Sequence, residues 1–418
     1  MSSVKHQLQP PTTPALVFDE PKLDLFVTRF ENALAQHWPH SILSYSFKTN
    51  ALPWLLAYMR DRGVWAEVVS DTEYRLAETL GYRPDQVVFN GPIKGREQLR
   101  YALRHGSVVN LDAKREVGWA AELALQEPET QFSVGLRVNW DLNAYCPGES
   151  HSGNAASRFG FNPENGELDR AINTLTEAGV RIGGLHMHRN SYTQSVDVFR
   201  ASATVAKELN TTRNLALDWL DIGGGFFGAE HGSPTFEDYV VAVKDTLQGV
   251  VDPQRTRLIV EPGASFVAVP LELHAGVLDV KDVEDTTFVV TDGSRTNIDP
   301  LFRRQRPYEY RLETTATTTR GLQTVSGYTC MEDDRLMNLE DEPALRVGDR
   351  IIFYKVGGYT MCYQATFFSE FAPPVYVRTA DDFIQVRGEA TIEDYLRGHS
   401  WSPASTVPAP QVVTVPGA

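Results

Sequence analysis

Short apolar runs alternate with amphipathic stretches of helical length from about residue 41 to residue 270. This alternation predicts an α/β fold of parallel strands joined by crossover helices. Eight such units over about 230 residues are the size of a (β/α)8 TIM barrel. The predicted strands are SYSF (44–47), AEVV (66–69), VVFN (87–90), VVNL (108–111), SVGLRV (133–138), IGGLHM (182–187), DWLDI (218–222) and RLIVE (257–261).

After about residue 270 the pattern changes to alternating segments rich in β-branched residues, which predicts a C-terminal antiparallel β domain. Examples are TTFVVTDG, YRLETTATT, RIIFYKVGG and PPVYVRTA. The early segment ALVFDE also resembles a strand, and we expect it to join that second domain. The predicted organisation is a flexible N-terminus (1–13), an N-terminal strand and helix (14–40), the barrel (41–270), the β domain (271–399) and a flexible tail (400–418).

Composition narrows the class of protein. The chain has 418 residues, 42% of them hydrophobic, so it can bury a large core. Its formal charge of −15 argues against a nucleic-acid partner, because phosphate backbones are bound by basic surfaces. It has neither a long apolar segment nor a secretory signal, which predicts a cytoplasmic protein without a membrane partner. The three cysteines form no disulfide framework and no metal-binding motif.

Unusual residues follow several predicted strands, at the end of a barrel where active sites form. Lys48 follows the first strand, and in an apolar barrel mouth we expect its charged form to be disfavoured. A desolvated lysine is a candidate for Schiff-base chemistry with an aldehyde. Gly223–Gly225 expose backbone N–H groups that can bind a phosphate. Glu261 ends the eighth strand, where a buried carboxylate needs a cation such as a protonated pyridine nitrogen.

Together these motifs resemble the fold-type-III (alanine racemase-like) pyridoxal-phosphate enzymes, the family of diaminopimelate, ornithine and arginine decarboxylases. YSFKTN is similar to the family's Y-x-x-K-A-N, which implies that Lys48 forms a Schiff base with the cofactor, pyridoxal 5'-phosphate. GLHMHRNS is similar to G-x-H-x-H-x-G-S, which implies that His188 stacks on the cofactor ring and Ser191 binds the phosphate. The resemblance makes Gly223–Gly225 the phosphate loop and pairs Glu261 with the pyridine nitrogen.

Motifs of the second domain agree with this resemblance. CMEDD at 330–334 is similar to C-E-S-G-D, which implies that Cys330 reaches the active site of a partner subunit and handles the proton in a homodimer with shared sites. GGY at 357–359 is similar to G-A-Y, whose tyrosine, here Tyr359, binds the phosphate. Phe367 falls where the family has an aromatic residue at the subunit interface. Arg137, Glu67 and Glu73 fit lesser positions near the ring. His186 is assigned to packing.

Two departures from the family pattern bear on the phosphate and the substrate. The family's E-P-G-R motif ends in Ala264 here, followed by Ser265, so a phosphate-binding arginine is missing; Arg295 is a candidate replacement. Met331 stands where decarboxylases of basic amino acids have an acidic residue, although Glu332 or Asp334 can substitute for it. This departure argues against plain ornithine, lysine or diaminopimelate as the substrate.

The sequence therefore predicts a pyridoxal-phosphate-dependent α-decarboxylase, a lyase of amino-acid metabolism. Its substrate is an amino acid or an amino-acid-derived intermediate, including conjugates from siderophore or other natural-product pathways. Two alternatives stay open. One is an amino-acid racemase on the same fold, and the other is a regulatory homologue that has lost the cofactor.

Overall fold

A computed structural model describes residues 9–151, 153, 155–227, 234–363 and 371–399 of the chain. Within these residues, eight parallel strands close into a barrel in chain order. They are β2 (Ser41–Ser46), β3 (Trp65–Ser70), β4 (Val87–Ile93), β5 (Val108–Leu111), β6 (Ser133–Arg137), β7 (Arg181–His186), β8 (Trp219–Asp221) and β9 (Arg257–Val260). Each predicted run overlaps one barrel strand, so the barrel prediction is confirmed.

Helices surround the barrel and bury their apolar faces against it. Where a polar residue precedes such a helix it often caps the first turn, as Asp19 does by accepting the N–H of Lys22. The helices are α1 (Glu20–His37), α2 (Pro53–Asp61), α3 (Asp71–Thr79), α4 (Arg96–Arg104), α5 (Lys114–Gln126), α6 (Leu142–Tyr145), α7 (Glu167–Glu177), α8 (Val196–Thr212), α9 (Phe236–Leu247) and α10 (Ala264–Val267), with short 3-10 turns at Phe47–Thr49 and Pro84–Gln86. No described helix is both long and apolar enough to cross a membrane.

Trp219 fills the lower part of the barrel. Its indole packs with apolar side chains that point inward from neighbouring strands, among them Ile42, Val88 and Ile259. A Cβ atom added at Gly184 would lie 2.0 Å from the indole nitrogen, so only glycine leaves room for the ring there. This apolar layer closes the barrel below the site, and the inward positions two residues further along each strand form the layer above it.

A second sheet of nine strands, counted over the described residues, lies beside the barrel. Most of its pairings are antiparallel, as the alternating pattern predicts, but β1 with β16 and β11 with β13 are parallel. Its strands are β1 (Ala15–Asp19), β10 (Leu271–Val283), β11 (Thr286–Thr291), β12 (Glu309–Glu313), β13 (Thr319–Ser326), β14 (Arg335–Pro343), β15 (Arg350–Tyr354), β16 (Val375–Arg378) and β17 (Phe383–Arg387). The short helix α11 (Arg295–Ile298) lies between β11 and β12, and α12 (Ile392–Leu396) follows β17.

The N-terminal strand β1 lies in the middle of this sheet, between β10 and β16. Arg378 of β16 fastens the three strands, because its guanidinium donates to Asp19 at 2.7 Å and to both carboxylate oxygens of Glu272. His274 Nε2 lies 3.0 Å from the same carboxylate. The strand that precedes the barrel in the sequence therefore belongs to the second sheet, as expected from the sequence.

The turn that follows β15 brings the second sheet to the mouth of the barrel. The N–H of Tyr359 donates to the carbonyl oxygen of Thr49 at 3.2 Å, and Asn50 Nδ2 lies 3.5 Å from the sulfur of Met361. A Cβ atom at Gly357 would lie 1.9 Å from the carbonyl oxygen of Val267, so this close approach requires glycine. Gly357 thus allows the close approach that sets Tyr359 against the turn after the first barrel strand. Beyond this turn, residues 364–370, including Phe367, are outside the described part of the chain, as are residues 1–8 and 400–418 of the predicted flexible ends.

The buried carboxylate of Glu272 makes stability depend on pH. Burial would raise the pKa of Glu272, but His274 and Arg378 outweigh it and lower the pKa to about 2. A carboxyl group whose pKa is depressed by folding stabilises the fold above its unfolded pKa of roughly 4.3, and this contribution is lost as the pH falls toward the folded value. Glu272→Gln should lower the free energy of unfolding by about 3 kcal/mol at pH 7, and by less below about pH 4.

Urea unfolding followed at several pH values measures this difference. Glu389→Gln, which changes an exposed glutamate of the same domain, is the control and should have little effect at any pH. A loss in the Glu272 variant that is the same at low and neutral pH would assign the effect to packing alone.

Candidate active site

The carboxyl ends of the barrel strands surround a cleft of about 870 Å³. Its lining comes from residues of β3 and β4 and from the segments that follow β2, β6, β7, β8 and β9, and Tyr359, in the turn after β15, closes one side. Among the lining residues that the sequence identifies are Lys48, Glu67, Arg137, His186, His188, Gly224, Gly225, Glu261, Ala264, Ser265 and Tyr359. The strand topology therefore brings most of the predicted residues into one cavity.

A layer of polar side chains forms the floor of the cleft. Asn90 connects two strands by donating to Glu67 Oε1 at 3.2 Å and to Glu261 Oε1. Asn110 in turn donates to Asn90 Oδ1 at 2.9 Å and to Asp221 Oδ2 at 2.8 Å. These residues occupy inward positions just above the apolar layer around Trp219. The two asparagines link the carboxyl groups of Glu67, Asp221 and Glu261 in one hydrogen-bond network.

The three carboxyl groups are almost completely buried. Burial raises the pKa of Glu261 well above its usual range, and the nearby Asp221 and Glu67 raise it further, while Lys48 opposes them. Burial also raises the pKa of Asp221, whose side chain shares a hydrogen bond with Glu261. Since carboxylates cannot stay charged so close together in a low dielectric, this layer must hold a proton or accept a cation from above.

Lys48 supplies one positive charge to this layer. Its Nζ atom donates to Glu67 Oε2 and to Ser46 Oγ, both at 2.8 Å. Burial alone would lower the pKa of Lys48, but Glu67 and then Glu261 outweigh it and raise the pKa above its usual range. The prediction of an apolar setting that disfavours the charged amine was therefore wrong, because the wall beside Lys48 is acidic.

His188 stands over the cleft as a neutral ring. Burial lowers its pKa to about 3, and the positive charges of Arg137 and Lys48 act in the same direction. The N–H of Gly224 donates to Nδ1 at 3.3 Å, so the proton of the neutral imidazole lies on Nε2. A Cβ atom on Gly223 would lie 2.3 Å from Cβ of His188, so the glycine loop also sets the position of the imidazole.

His186, which the sequence assigns to packing, is buried in the floor. Its Nε2 atom lies 3.8 Å from Glu261 Oε2 and has no hydrogen-bond partner among the described residues. Burial and then Arg137 lower its pKa well below the usual range, so this ring is also neutral. His186, Asp221 and Glu261 are close enough to form a metal-binding set, but the lysine above them offers an alternative cation.

The glycine loop and the loop after β9 form a small polar pocket beside this layer. Gly225 has a φ of 99°, which favours glycine and turns its backbone toward the cleft. Ser265 Oγ is buried without a hydrogen-bond partner among the described residues, and Tyr359 faces the same space. Buried hydroxyl groups are normally paired, so this orphaned oxygen indicates a polar ligand, and a phosphate fits the donors present.

Other predicted residues lie next to the cleft with partners of their own. Arg137 Nη1 forms an ion pair with Asp112 at 2.9 Å and lies over the ring of Phe159. Glu73 accepts the N–H of Val69 at 2.8 Å and does not line the cleft. Ser191 is buried in a β-bridge with Ser150, and it is Ser150 that lines the cleft.

The residues of the CMEDD segment lie outside this cleft. Cys330 and Glu332 are exposed, and Met331 is partly exposed. Asp334 is buried within the second domain, where it accepts hydrogen bonds from Ser294, Arg295 and Thr329. The guanidinium of Arg295 pairs with Asp299 at 2.8 Å and does not line the cleft, so the expectation that it replaces the missing phosphate arginine was wrong for the described chain.

Several functional groups escaped the sequence analysis. Asn90, Asn110 and Asp221 each stand at an inward position of a predicted strand, so strand alternation is a signal that could have located them. Arg189 carries no such signal, because its importance depends on the absence of a carboxylate partner among the described residues.

Comparisons with known proteins agree with this geometry. The family model described as "Pyridoxal-dependent decarboxylase, pyridoxal binding domain" matches residues 23–268. The chain is 26% identical over 395 residues to a probable chloroplastic diaminopimelate decarboxylase of Oryza sativa, covering 92% of this chain and 79% of that protein. It is also 26% identical over 391 residues to ornithine decarboxylase of Caenorhabditis elegans, covering 87% and 88% of the two chains.

A solved structure shares the fold as well. Diaminopimelate decarboxylase from Helicobacter pylori, complexed with L-lysine, superimposes with a TM-score of 0.79 at 21% identity, covering 93% of this chain and 97% of that one. The site has the parts that pyridoxal phosphate requires: an amine, a carboxyl layer for the ring nitrogen, an imidazole beside the ring position and a phosphate pocket. With a family model that spans more than half of its residues, the chain belongs to the pyridoxal-dependent decarboxylases, and pyridoxal 5'-phosphate is its cofactor.

Proposed function

We propose that this amino-acid decarboxylase removes the α-carboxylate of an amino-acid-derived conjugate, with Lys48 as the residue that holds the cofactor. The observation that carries the assignment of Lys48 is its place in the cleft. Its amine stands above Glu67 and Glu261 and shares the cavity with His188, Gly224 and Gly225. When bound, the cofactor supplies an electron sink for the carbanion that decarboxylation leaves.

The residues of the floor prepare the site for a cationic ring. Glu261 is held in place by Asn90 and is disfavoured as an isolated carboxylate by burial. A protonated pyridine nitrogen beside Glu261 would supply the missing positive charge, and Asp221 could keep the proton that the two carboxyl groups share. The neutral imidazole of His188 would lie against one side of the cofactor ring.

Glu67 provides a place for the proton that Lys48 must lose before its amine can act as a nucleophile. The Nζ atom of Lys48 already donates to Glu67 Oε2, and Ser46 Oγ donates to the same oxygen. The same carboxylate that keeps the resting amine charged is therefore positioned to accept its proton. The pairing with Glu67, rather than desolvation, therefore controls the protonation state of Lys48.

We infer that the active enzyme is a homodimer in which Cys330 of one subunit serves the cleft of the other. Cys330 is exposed and absent from the cleft of its own subunit, so a role in proton transfer requires a second subunit. The second sheet places the segment from Cys330 to Glu332 in an accessible connection between β13 and β14. Tyr359, by contrast, reaches the cleft within its own subunit.

The proposed substrate class follows from departures in the chain. Met331 offers no charge for the ammonium group of a basic amino acid, and Ala264 removes an arginine from the loop after β9. The relatives named above are diaminopimelate and ornithine decarboxylases, and we propose that this chain acts on a different member of the same chemical class, including siderophore-type conjugates. Purified holoenzyme given a panel of amino acids and such conjugates should release carbon dioxide from a conjugate faster than from lysine, ornithine or diaminopimelate.

The two alternatives that the sequence left open would give different results in that experiment. A racemase would invert the α-carbon without releasing carbon dioxide, and chiral chromatography of the same reactions would detect it. A regulatory homologue would bind no cofactor, although Lys48, His188, the glycine loop and Glu261 are all present in one cleft. Release of carbon dioxide from no member of the panel would contradict the proposed activity.

The role of Lys48 can be tested without a substrate. The holoenzyme should be yellow, and sodium borohydride should fix the cofactor to Lys48, because this is the lysine whose amine lines the cleft. Peptide mass spectrometry locates the modified residue, and Lys48→Ala serves as the control. A pyridoxyl group on another lysine, or a wild-type protein that stays colourless with excess cofactor, would contradict the assignment.

Glu261→Gln should still bind the cofactor but should lower kcat by roughly a hundredfold or more, as expected when a positioned electrostatic group is lost. The neutral amide cannot hold the ring nitrogen protonated. Glu73→Gln is the matched control, since its carboxyl group is nearby but does not line the cleft. Unchanged turnover in Glu261→Gln would make this residue a structural carboxyl group.

Subunit sharing can be tested by mixing two inactive variants. A mixed dimer of Lys48→Ala and Cys330→Ala contains one site in which both residues are intact, so random co-assembly should restore roughly a quarter of wild-type activity. Mixing Lys48→Ala with Glu261→Gln is the matched control, because no site of that dimer is complete. Mass spectrometry should confirm the mixed dimers. If they are no more active than their parents, Cys330 does not serve the partner's site.

A further inference from the structure

Three arginines line one side of the cleft beyond the cofactor residues. We propose that Arg189, together with Arg137 and Arg158, forms a subsite for a carboxylate on the distal part of the substrate. This inference rests on the proposed decarboxylation and names a feature of the substrate that the enzyme would select.

Arg189 is the central residue of this cluster. It follows β7, is half-buried and lines the cleft. Its Nη1 atom donates to the amide oxygen of Asn139 at 3.2 Å, and none of the described carboxylates lies within ion-pair distance of it. Burial and then Arg137 lower the pKa of Arg189, and Asp141 opposes them only in part. A partly desolvated guanidinium without an anion is unfavourable unless a ligand supplies one.

Phe159 connects the other two arginines. The guanidinium of Arg137 lies 4.5 Å from the centre of its ring, and that of Arg158 lies 4.4 Å from it. Asp112 neutralises Arg137, but the contact of Arg158 with Phe159 leaves its charge available to the cleft. Stacking on the same aromatic ring therefore positions two of the cations without neutralising both.

The charges of the cleft are distributed unevenly. Of the described side chains that line it, the acidic ones are Glu67 and Glu261, both in the floor beside Lys48. On the side formed by the segments after β6 and β7, the charged side chains among the described lining residues are cationic, although the chain as a whole has a formal charge of −15. A cavity lined by one sign of charge concentrates ligands of the opposite sign.

Two anions could meet this cluster, the phosphate of the cofactor and a carboxylate of the substrate. The phosphate pocket described above belongs to the loops after β8 and β9 and to Tyr359, whose N–H donates to Thr49 in the segment after β2. Arg189 instead contacts Asn139, after β6, and so lies on the other side of His188. This separation assigns the arginines to the substrate.

The experiment compares two amino acids of similar length and opposite distal charge, L-2-aminoadipate and L-lysine. Their dissociation constants for the holoenzyme are measured from changes in the absorption of the bound cofactor. Wild-type protein should bind 2-aminoadipate more tightly than lysine. Arg189→Gln should weaken binding of 2-aminoadipate by roughly tenfold to a hundredfold, as for the loss of a charge-assisted hydrogen bond, and leave lysine binding nearly unchanged. Arg158→Gln should show the same selectivity to a smaller extent.

Three controls make the result specific. Arg170→Gln removes a positive charge from an exposed helix position and should change neither constant. Arg189→Lys keeps the charge and should retain part of the preference for 2-aminoadipate. The affinity of each apoenzyme for pyridoxal phosphate is measured separately and should stay within about twofold of wild type, because the phosphate pocket is unchanged; normal cofactor binding also shows that the variants fold.

A wild-type preference for lysine that Arg189→Gln does not alter would overturn the subsite. Weaker binding of pyridoxal phosphate with unchanged selectivity between the amino acids would also overturn it, by assigning the arginines to the cofactor's phosphate. Failure of the proposed function is distinct from both results, since it would appear as an enzyme that binds no cofactor at Lys48 or releases no carbon dioxide from any substrate.

Discussion

The site depends on three carboxyl groups that the barrel buries close together. Glu67, Asp221 and Glu261 lie in one layer with Lys48 above them. Such a layer is costly in a low dielectric unless it holds protons or receives a cation. Each neighbouring feature is understandable from this constraint: the asparagines that divide the carboxyl groups, the raised pKa values, the charged resting state of Lys48 and the fit to a protonated ring.

The fold can tolerate this layer because packing contacts on its other sides hold the carboxyl groups in place. Below it, the indole of Trp219 fills the barrel among small and apolar side chains, including a glycine at 184 that leaves room for the ring. Behind the glycine loop, Phe226 packs edge-on against Phe30 of α1 with ring centres 4.9 Å apart. On the remaining side, Tyr359 comes from the second sheet, which the N-terminal strand ties to the barrel. These contacts supply the packing that holds charged groups where they are unfavourable on their own.

Much of this arrangement could be predicted from the sequence. The eight barrel strands follow from the alternation of apolar runs and helical segments, and the glycine loop, Lys48 and Glu261 follow from their places at strand ends. What the sequence could not supply is the environment of each group. Lys48 was expected in an apolar wall because the neighbouring residues of its own strand are apolar, but its pKa is governed by Glu67 on the adjacent strand. Arg295 was predicted as a replacement phosphate ligand, but its guanidinium pairs with Asp299. Both errors concern contacts between segments distant in the chain.

The central claim is that the carboxyl layer exists to keep a ring nitrogen protonated. Nitrogen-15 NMR of holoenzyme prepared with pyridoxal phosphate labelled at the ring nitrogen measures this protonation directly. The account predicts a protonated nitrogen in the wild-type protein at neutral pH and an unprotonated one in Glu261→Gln. An unprotonated nitrogen in the wild type, or the same chemical shift in both proteins, would contradict it.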